Sequence, residues 1–407
     1  MESARLHAGL ARMVRDVGVA EELAQDALVT ALEKWPETGI PDNPGAWLMA
    51  TAKHRAIDRL RRNRRIEHKH EELAHGATPR DPAGELVERL DDDVGDDLLR
   101  LVFTCCHPVL SGDARVALTL RLLCGLTTDE IARAFLAPEA TIAQRIVRAK
   151  RTLAEAGVPF EVPRGEERAA RLASVLEVVY LVFNEGYAAT AGDDWMRPAL
   201  CEDALRLGRI LAALAPGEAE VHGLVALMEL QASRARARVG PDGAPILLLE
   251  QNRTRWDQLL IRRGLAALAR AEATAGAPPG SPGPPGPYVL QASIAACHAR
   301  ARTADETDWV KIAALYEALA HVTSSPVVEL NRAVAVGMAF GPAAGLAIVD
   351  AITALPAMQR YHLLPAVRAD LLTRLGRDAE ARAELERAAS LTRNAREREL
   401  LLARARG

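Results

Sequence analysis

Residues 43–65 read NPGAWLMATAKHRAIDRLRRNRR and contain far more basic than acidic residues. Apolar side chains recur here at helical spacing, which predicts one long helix with a buried stripe made of Leu48, Ala52, Ala56 and Leu60. Asn43 is a suitable N-cap, and Pro44 suits the first helical position. Because arginines follow both flanks of the stripe, the positive charge lies along a helix and not in a shapeless tail.

A basic run of this kind is most often a solvated helix face. The formal net charge of the whole chain is only -3, however, so the concentration of cations in one helix favours an anionic partner. Trp47 places an aromatic ring near the start of the same helix. Cations with an aromatic ring suit phosphates and a stacked base, although core packing is the better explanation of Trp47 taken alone.

The composition predicts an all-α protein of more than one domain. A chain of 407 residues exceeds one ordinary core. Apolar residues make up 49% of it and aromatic residues only 4%, which favours helices over strands. No apolar run reaches the ~18–20 residues of a membrane span, and the N-terminus lacks a signal-peptide core. With five cysteines, an odd number, we expect a reduced cytoplasmic chain and no disulfide scaffold.

Two further stretches of the first half predict helices. Residues 20–35, AEELAQDALVTALEKW, predict an amphipathic helix that ends before Pro36, with inward side chains at Leu23, Ala27, Leu28, Ala31 and Leu32. Residues 127–154, TTDEIARAFLAPEATIAQRIVRAKRTLA, predict two short helices joined by the turn 136–138. Thr127 and Glu130 have capping-box spacing at the start of the first of these two.

The second helix of that pair has two different faces. Its apolar face carries Ile142, Ile146, Ala149 and Leu153. Its opposite face offers polar and basic side chains: Glu139, Thr141, Gln144, Arg145, Arg148 and Arg151. Two helices joined in this way form a helix-turn-helix pattern, whose second helix places side chains in the major groove of DNA.

The rest of the chain is organised by linkers and by repeated helices. Residues 71–97 are strongly acidic and contain Pro and Gly, which predicts a linker. Residues 275–287 are rich in Pro and Gly and predict a loop. From about residue 168 onward helical segments recur, and a partial repeat relates Gly341, Ala344 and Ala347 to Gly376, Ala379 and Arg382 at an offset of 35 residues. Such a period is typical of tetratricopeptide-like helix hairpins.

Taken in this order, the stretches resemble the extracytoplasmic-function (ECF) family of RNA polymerase sigma factors, the subunits that select and melt promoters. AEELAQDALVTALEKW resembles the helix that docks on the polymerase clamp. NPGAWLMATAKHRAIDRLRRNRR resembles the helix of the promoter-melting domain that binds the minus-ten element. The helix-turn-helix resembles the domain that reads the minus-thirty-five element. The resemblance covers about residues 1–157.

The later part resembles a subgroup of the family that carries a C-terminal helical-repeat extension, with YLVFNEGY, DDWMRP and ACHARA as motifs of that extension. The resemblance implies the following domains: a first sigma domain at 1–70, the acidic linker at 71–97, a second sigma domain at 98–157 and a tetratricopeptide-like extension at 158–407.

The resemblance also implies site residues. Those expected to bind the minus-ten element are Asn43, Trp47, Lys53, Arg55, Arg59 and Arg62. Those expected at the minus-thirty-five element are Glu139, Thr141, Gln144, Arg145 and Arg148. Those expected to contact polymerase are Gln25, Asp26, Val29 and Leu32.

These patterns predict a transcription initiation factor, not an enzyme, with core RNA polymerase and promoter DNA as partners. We expect no cofactor, no metal site and no membrane association. The extension is expected to be regulatory and to bind a protein or peptide, since concave repeat surfaces commonly do so. The alternative is a helical-repeat scaffold whose basic helices bind RNA or other anionic partners without polymerase.

Overall fold

The computed structural model describes residues 2–71, 94–135, 137–188, 196–240, 245–275 and 285–406. In these ranges the secondary structure is helical apart from turns, loops and isolated bridges such as that between Val239 and Pro245, so the predicted all-α class is confirmed. The chain divides into two compact units, Met1–Val179 and Tyr180–Gly407. Within the described ranges no helix combines the length and the apolar character that crossing a membrane requires.

The first unit is a set of helices: α1 (Glu2–Val14), α2 (Val17–Thr38), α3 (Pro44–Glu71), α4 (Val94–Cys105), α5 (Gly112–Thr119), α6 (Thr128–Ala134), α7 (Glu139–Glu155) and the first part of α8 (Gly165–Tyr187). A π-helical turn, Leu120–Cys124, continues α5 and ends at Gly125, whose φ of 79° suits glycine. Because α4 begins at Val94, the last residues of the predicted acidic linker are helical. Residues 72–93, the rest of that linker, lie outside the described residues.

Helix α1, which the sequence patterns did not predict, occupies the middle of the first unit. Its apolar residues Leu6, Ala8, Leu10 and Ala11 are buried. It packs against α2, α3, α4 and the π-helical turn. The two basic helices of the sequence, α3 and α7, therefore belong to one compact body organised around α1.

Helix α2 corrects two predictions. It continues through Pro36 to Thr38, so the prediction that Pro36 ends it is wrong. A proline in the last turn removes only one helical hydrogen bond, and the Gly39 amide closes the helix end by donating to the Trp35 carbonyl at 2.9 Å. Leu28 and Leu32, predicted to face inward, are exposed, Leu32 to 76%.

The first part of α8 packs on the end of α4. Arg171 donates to the carbonyl oxygen of Phe103 at 3.1 Å, and the Ser174 hydroxyl donates to that of Cys106 at 2.6 Å. Carbonyls at a helix C-terminus lack partners in their own helix, so these bonds satisfy exposed acceptors. The compact unit consequently continues to Val179, beyond the domain end predicted at residue 157, and that end stays a prediction.

The cysteines beside this contact are packing residues. Cys105 and Cys106 are completely buried. Burial raises the pKa of the Cys105 thiol well above its usual value and that of Cys106 to about 11. The thiols therefore stay protonated and unreactive. No group of residues that could hold a metal ion occurs among the described residues.

The second unit is a succession of helices: the rest of α8, α9 (Pro198–Leu214), α10 (Ala219–Ala232), α11 (Gln258–Ala275), α12 (Pro287–Arg300), α13 (Trp309–Thr323), α14 (Pro326–Phe340), α15 (Pro342–Ile352), α16 (Pro356–Gln359), α17 (Leu363–Arg374), α18 (Asp378–Leu391) and α19 (Ala395–Arg406). Helices that follow one another in the chain mostly pack together, as in a helical repeat. Most of the predicted Pro/Gly-rich loop at 275–287 lies outside the described residues.

The partial sequence repeat coincides with two helix hairpins. Gly341 joins α14 to α15 with a φ of 101°, and Gly376 joins α17 to α18 with a φ of 71°. In the first hairpin the two helices approach closely, since a Cβ at Gly345 would lie 2.5 Å from the Ala333 carbonyl oxygen. The repeated small residues therefore mark hairpin turns and close helix contacts, while the tetratricopeptide-like description of the whole extension stays a prediction.

Candidate nucleic-acid interface

The N-terminus of α3 is built as the sequence predicts. The Asn43 side-chain oxygen accepts a hydrogen bond from the Ala46 amide at 3.1 Å, and the Asn43 carbonyl accepts one from the Trp47 amide at 3.1 Å. Asn43 is therefore confirmed as the N-cap. In the buried stripe, Ala52 and Ala56 are fully buried and Leu48 is partly buried. The side chain of Leu60 lies outside those described.

Trp47 packs on Trp35 of α2. The two rings meet edge to face, with centroids 5.5 Å apart and planes at 61°. Trp47 is partly buried, so the contact fixes the ring while leaving part of it open to solvent. This is compatible with both roles that the sequence allowed for Trp47, packing and a place beside a base.

Two of the arginines on α3 already have protein partners. Arg55 forms an ion pair with Asp26 at 3.2 Å and donates to the Thr30 hydroxyl at 2.7 Å. Arg59 forms an ion pair with Glu22 at 2.8 Å. These arginines connect α3 to α2, and a phosphate group would have to displace a carboxylate to bind them. Sequence spacing gave no sign of these partners.

The other two basic residues predicted to bind the minus-ten element are Lys53 and Arg62. Lys53 is partly exposed, and within the described part of the chain no ion pair or hydrogen bond involves its side chain. Arg62 lies on α3, but its side chain is outside those described. Lys53 is therefore the predicted phosphate contact that remains available without breaking an internal bond.

The outer face of α2 carries the predicted polymerase contacts. Gln25, Asp26, Val29 and Leu32 are all exposed. Leu28 joins Val29 and Leu32 to give an exposed apolar strip on a helix whose other side is buried. Exposed apolar strips of this kind are typical of surfaces that bind another protein.

The helix-turn-helix has the predicted geometry. Thr127 and Glu130 form a capping box, with reciprocal hydrogen bonds of 3.2 and 2.7 Å. The four residues predicted to face inward from α7 are its buried residues: Ile142, Ile146, Ala149 and Leu153. Leu136 of the predicted turn lies outside the described residues.

The outward face of α7 is open. Glu139, Thr141, Gln144 and Arg148 are exposed, and Arg145 is partly exposed. Arg145 forms an ion pair with Asp113 of α5 at 3.1 Å, whereas among the described residues no polar partner contacts the Arg148 side chain. Arg148 is the more available of the two predicted arginine contacts.

A buried carboxylate that sequence analysis missed joins α2 to the helix-turn-helix. Glu21 on α2 is only 4% exposed. Arg121 Nε donates to its Oε1 at 2.7 Å, and Lys150 Nζ on α7 donates to its Oε2 at 2.8 Å. These three residues form the Glu21 clasp. The signal in the sequence was slight: Glu21 lies one turn from Val17 and from Ala24, both of which are buried.

The clasp keeps Glu21 ionised. Burial by itself raises the pKa of this carboxyl, but the hydrogen bonds and charges of Lys150 and Arg121 outweigh burial and lower the pKa below its usual value. Beside it, His7 of α1 is buried with Nδ1 at 3.2 Å from the Leu122 carbonyl oxygen, and burial lowers its pKa. His7 is therefore neutral at pH 7, and the clasp supplies the charge at this contact.

A cavity of about 590 Å³ opens on one side of the clasp. Its lining includes the basic residues Arg12, Arg15, Arg100 and Lys150. Arg12 and Arg100 pair with Asp97 at 3.4 and 2.8 Å. Solvent in the cavity reaches the Lys150 side chain, which is 21% exposed, so the clasp is not sealed from water.

Comparisons with known proteins agree with this geometry. Residues 2–66 match the family described as sigma-70 region 2, residues 100–153 match sigma-70 region 4, and residues 171–272 match a family of unknown function, DUF6596. The uncharacterized protein R00370 of Rhizobium meliloti (strain 1021) is 44% identical over 390 residues, which are 95% of this chain and 89% of that protein. No solved structure matches.

Shorter relatives carry a functional name. The ECF RNA polymerase sigma factor SigK of Mycobacterium tuberculosis (strain ATCC 25618 / H37Rv) is 32% identical over 153 residues, covering 37% of this chain and 78% of SigK. SigK of Mycobacterium sp. (strain KMS) is also 32% identical, over 148 residues, 35% of this chain and 72% of that protein. This chain belongs to the ECF sigma factor family. As a member with both sigma regions, it has a sigma factor role, with core RNA polymerase and promoter DNA as partners.

We expect Glu21 to make the stability of this sigma factor dependent on acid. Its pKa is lower in the folded chain than the usual value of 4.5. The clasp therefore stabilises the fold fully above about pH 4.5, and this contribution is lost as the pH falls through the lower, folded pKa. Thermal unfolding followed by circular dichroism between pH 6 and pH 3 should show a smaller acid-induced drop in midpoint for Glu21→Gln than for the native chain.

The matched control is Glu22→Gln. Glu22 is the neighbouring carboxylate, but it is 62% exposed and pairs with Arg59 at the surface. Its removal should change the acid dependence less than Glu21→Gln does. Equal acid dependence in the native chain and in Glu21→Gln would contradict the stabilising role of the clasp.

Proposed function

We propose that this sigma factor reads promoters with α3 and α7 and that its C-terminal extension regulates transcription. The observation that carries the DNA-reading role is the division of α7 into a fully buried apolar face and an open polar face. A reading helix needs this division, because one side must be held by the domain while the other enters the major groove. Membership of the ECF sigma factor family supports core RNA polymerase as the partner of this chain.

On α3 we assign different tasks to the basic residues. Lys53 and Arg62 would contact phosphates of the minus-ten strand, with Asn43 and Trp47 at the end of the helix beside an extruded base. Arg55 and Arg59 would hold α3 against α2 and reach phosphate only by exchanging a carboxylate for it. The exposed strip on α2, with Gln25, Asp26, Val29 and Leu32, would dock on polymerase.

The experiment that tests the function is transcription with purified components. The full chain is added to core RNA polymerase and a library of promoter-length DNA fragments, and the transcripts are sequenced. Transcripts with defined starts that share upstream elements support the proposal. Equal transcription with and without the chain, or no binding to core polymerase, would contradict it.

The arrangement of the first unit limits how α3 and α7 can bind the two promoter elements. The two promoter elements lie about 25 base pairs apart, or about 85 Å at ~3.4 Å per base pair. At about 1.5 Å per residue, the 28-residue α3 is about 42 Å long and the 17-residue α7 about 25 Å. Even end to end the two helices are shorter than this distance, and the Glu21 clasp holds α7 against α2, which packs on α3. We infer that the clasp opens when the factor binds polymerase and a promoter.

Weakening the clasp should favour the open form. Glu21→Gln keeps the size of the side chain but removes the charge that holds Arg121 and Lys150. At limiting core polymerase we expect Glu21→Gln to give at least as many transcripts as the native chain, whereas Glu22→Gln should not differ from it. Run-off transcription across a polymerase titration measures this. Fewer transcripts from a Glu21→Gln chain that is well folded would contradict the inference that the clasp must open.

The role of α7 is tested at Arg148. If Arg148 makes a bidentate base contact, Arg148→Ala should cost about 1–3 kcal/mol in promoter binding, or roughly 5- to 150-fold in affinity, and should relax sequence preference at one position. The control is Arg133→Ala on α6, which removes the same charge from an exposed arginine paired with Asp129. Footprinting with polymerase measures both. An unchanged upstream footprint for Arg148→Ala would remove this residue from the reading face.

The extension is tested by two truncations. A chain that ends at Gly157 lacks Arg171 and Ser174, which cover the end of α4, whereas a chain that ends at Val179 keeps the whole first unit. We expect the shorter chain to melt at lower temperature and both to transcribe less than the full chain, because we propose that the extension supports transcription. A folded fragment that is as active as the full chain, or more active, would show an inhibitory or neutral extension instead.

A further inference from the structure

Three guanidinium groups meet two aromatic rings in the second unit, at residues that the sigma factor role does not use. Arg238 Cζ lies 3.6 Å from the centre of the Tyr187 ring, and Arg253 Cζ lies 5.0 Å from that of Trp256. Arg234 lies between the rings, at 5.7 Å from Tyr187 and 5.9 Å from Trp256. These five residues form the arginine cluster. Arginine over an aromatic face is favourable, but each ring here is shared by two cations.

Two of the three arginines donate hydrogen bonds that stabilise the fold. Arg253 donates to the carbonyl oxygens of His298 and Ala301, both at 2.8 Å, and to the Thr307 hydroxyl at 2.9 Å. Arg238 donates to the carbonyl oxygen of Tyr187. These bonds tie the segments around the cluster to one another, so the two residues have a structural task that needs no ligand.

Arg234 has no such task. Among the residues that the structure describes, no hydrogen bond or ion pair involves its side chain. Its Nε is buried and without an acceptor. The residue as a whole is only partly buried. A desolvated guanidinium nitrogen without an acceptor is costly, and an ion or ligand that binds there is one explanation for it.

The surroundings of Arg234 are positive. Burial is the main cause of the lowered pKa of Arg253 and of Arg238, and the charge of Arg234 lowers both further. Burial and then the charges of Arg234 and Arg253 lower the pKa of His298 to about 3, so this imidazole is neutral. The charge of Glu306 acts in the opposite direction and raises the pKa of Arg253.

Tyr316 interacts electrostatically with Arg234. Burial raises the pKa of Tyr316 to about 12, with the charge of Arg234 acting to lower it, so the hydroxyl stays protonated. In the described ranges this hydroxyl has no hydrogen-bond partner. Tyr180, whose hydroxyl donates to Gln291 at 3.4 Å, raises the same pKa and so lies nearby. Tyr180 and Tyr187 begin and end YLVFNEGY, and His298 belongs to ACHARA, motifs to which no function had been assigned.

We propose that Arg234 anchors a binding site for a carboxylate, with the Tyr316 hydroxyl as a second donor. A guanidinium binds a carboxylate with two parallel hydrogen bonds, which suits the uncommitted end of Arg234. Arg234 has no ion-pair partner among the described residues and supplies a single charge, and the Tyr316 hydroxyl is neutral. A singly charged group therefore matches the site better than a doubly charged phosphate. The carboxylate comes from a small organic acid or from an acidic protein segment.

Calorimetric titration of the full chain tests the site with three probes: glutarate, a hexaglutamate peptide and inorganic phosphate. We expect at least one carboxylate probe to bind, and Arg234→Met to weaken it at least tenfold, as loss of a charge-assisted pair does. Arg236→Met is the matched control, since Arg236 is exposed two residues further on, and it should bind as the native chain does. Tyr316→Phe, which removes one hydroxyl, should weaken binding severalfold while leaving the melting temperature nearly unchanged.

The outcomes separate the sources of the carboxylate. Hexaglutamate that binds at least tenfold more tightly than glutarate assigns the site to an acidic protein segment, and equal affinities assign it to a small organic acid. The proposal is overturned if neither carboxylate binds more tightly than about 1 mM, if phosphate binds more tightly than both, or if Arg234→Met and Tyr316→Phe bind as the native chain does.

Discussion

The buried carboxylate of Glu21 is the interaction on which the arrangement of the first unit depends. It brings a residue of α2, the helix proposed to dock on polymerase, into contact with a residue of α7, the proposed reading helix, across two regions that the sequence places more than a hundred residues apart. A buried carboxylate is tolerated only when cations compensate it, and Arg121 and Lys150 do so from two sides. The contact is therefore specific to this arrangement, yet solvent in the neighbouring cavity gives water a path to Lys150. Such a contact holds one arrangement without making it permanent.

The same logic applies to the basic face of α3. A helix that must bind DNA needs cations, but unpaired cations close together repel one another in the free protein. The structure resolves this by pairing Arg55 and Arg59 with carboxylates of α2, so that internal acidic groups occupy positions that phosphates would otherwise take. Exposed ion pairs contribute little to stability, and exchanging one for a phosphate is correspondingly cheap. In the proposed function, the arginines that join α3 to α2 would therefore also be able to bind promoter phosphates.

Residue spacing within single helices predicted a large part of this structure correctly. The N-cap at Asn43, the capping box at Thr127 and the buried stripe of α7 each follow from spacing within one helix, and each is present. What the sequence could not supply were contacts between helices: the carboxylate partners of Arg55 and Arg59, the ring of Trp35 beside Trp47 and the burial of Glu21. Leu28 and Leu32 show a second limit of prediction from sequence. Their helical spacing indicates an apolar face, but it does not tell whether that face is covered by this chain or by a partner.

The arginine cluster of the second unit extends this reasoning to the part of the chain that sigma factors of ordinary length lack. In the first unit the buried cations of the clasp, Arg121 and Lys150, meet an internal carboxylate, and the result is a contact between helices. Around Arg234 three guanidinium groups and two aromatic rings gather, and Arg238 and Arg253 donate to backbone oxygens. Arg234 contributes ring contacts to the fold, but its charge also repels the other two guanidinium groups, which a neutral side chain would not do. A bound carboxylate, as proposed, would offset that repulsion by pairing with Arg234.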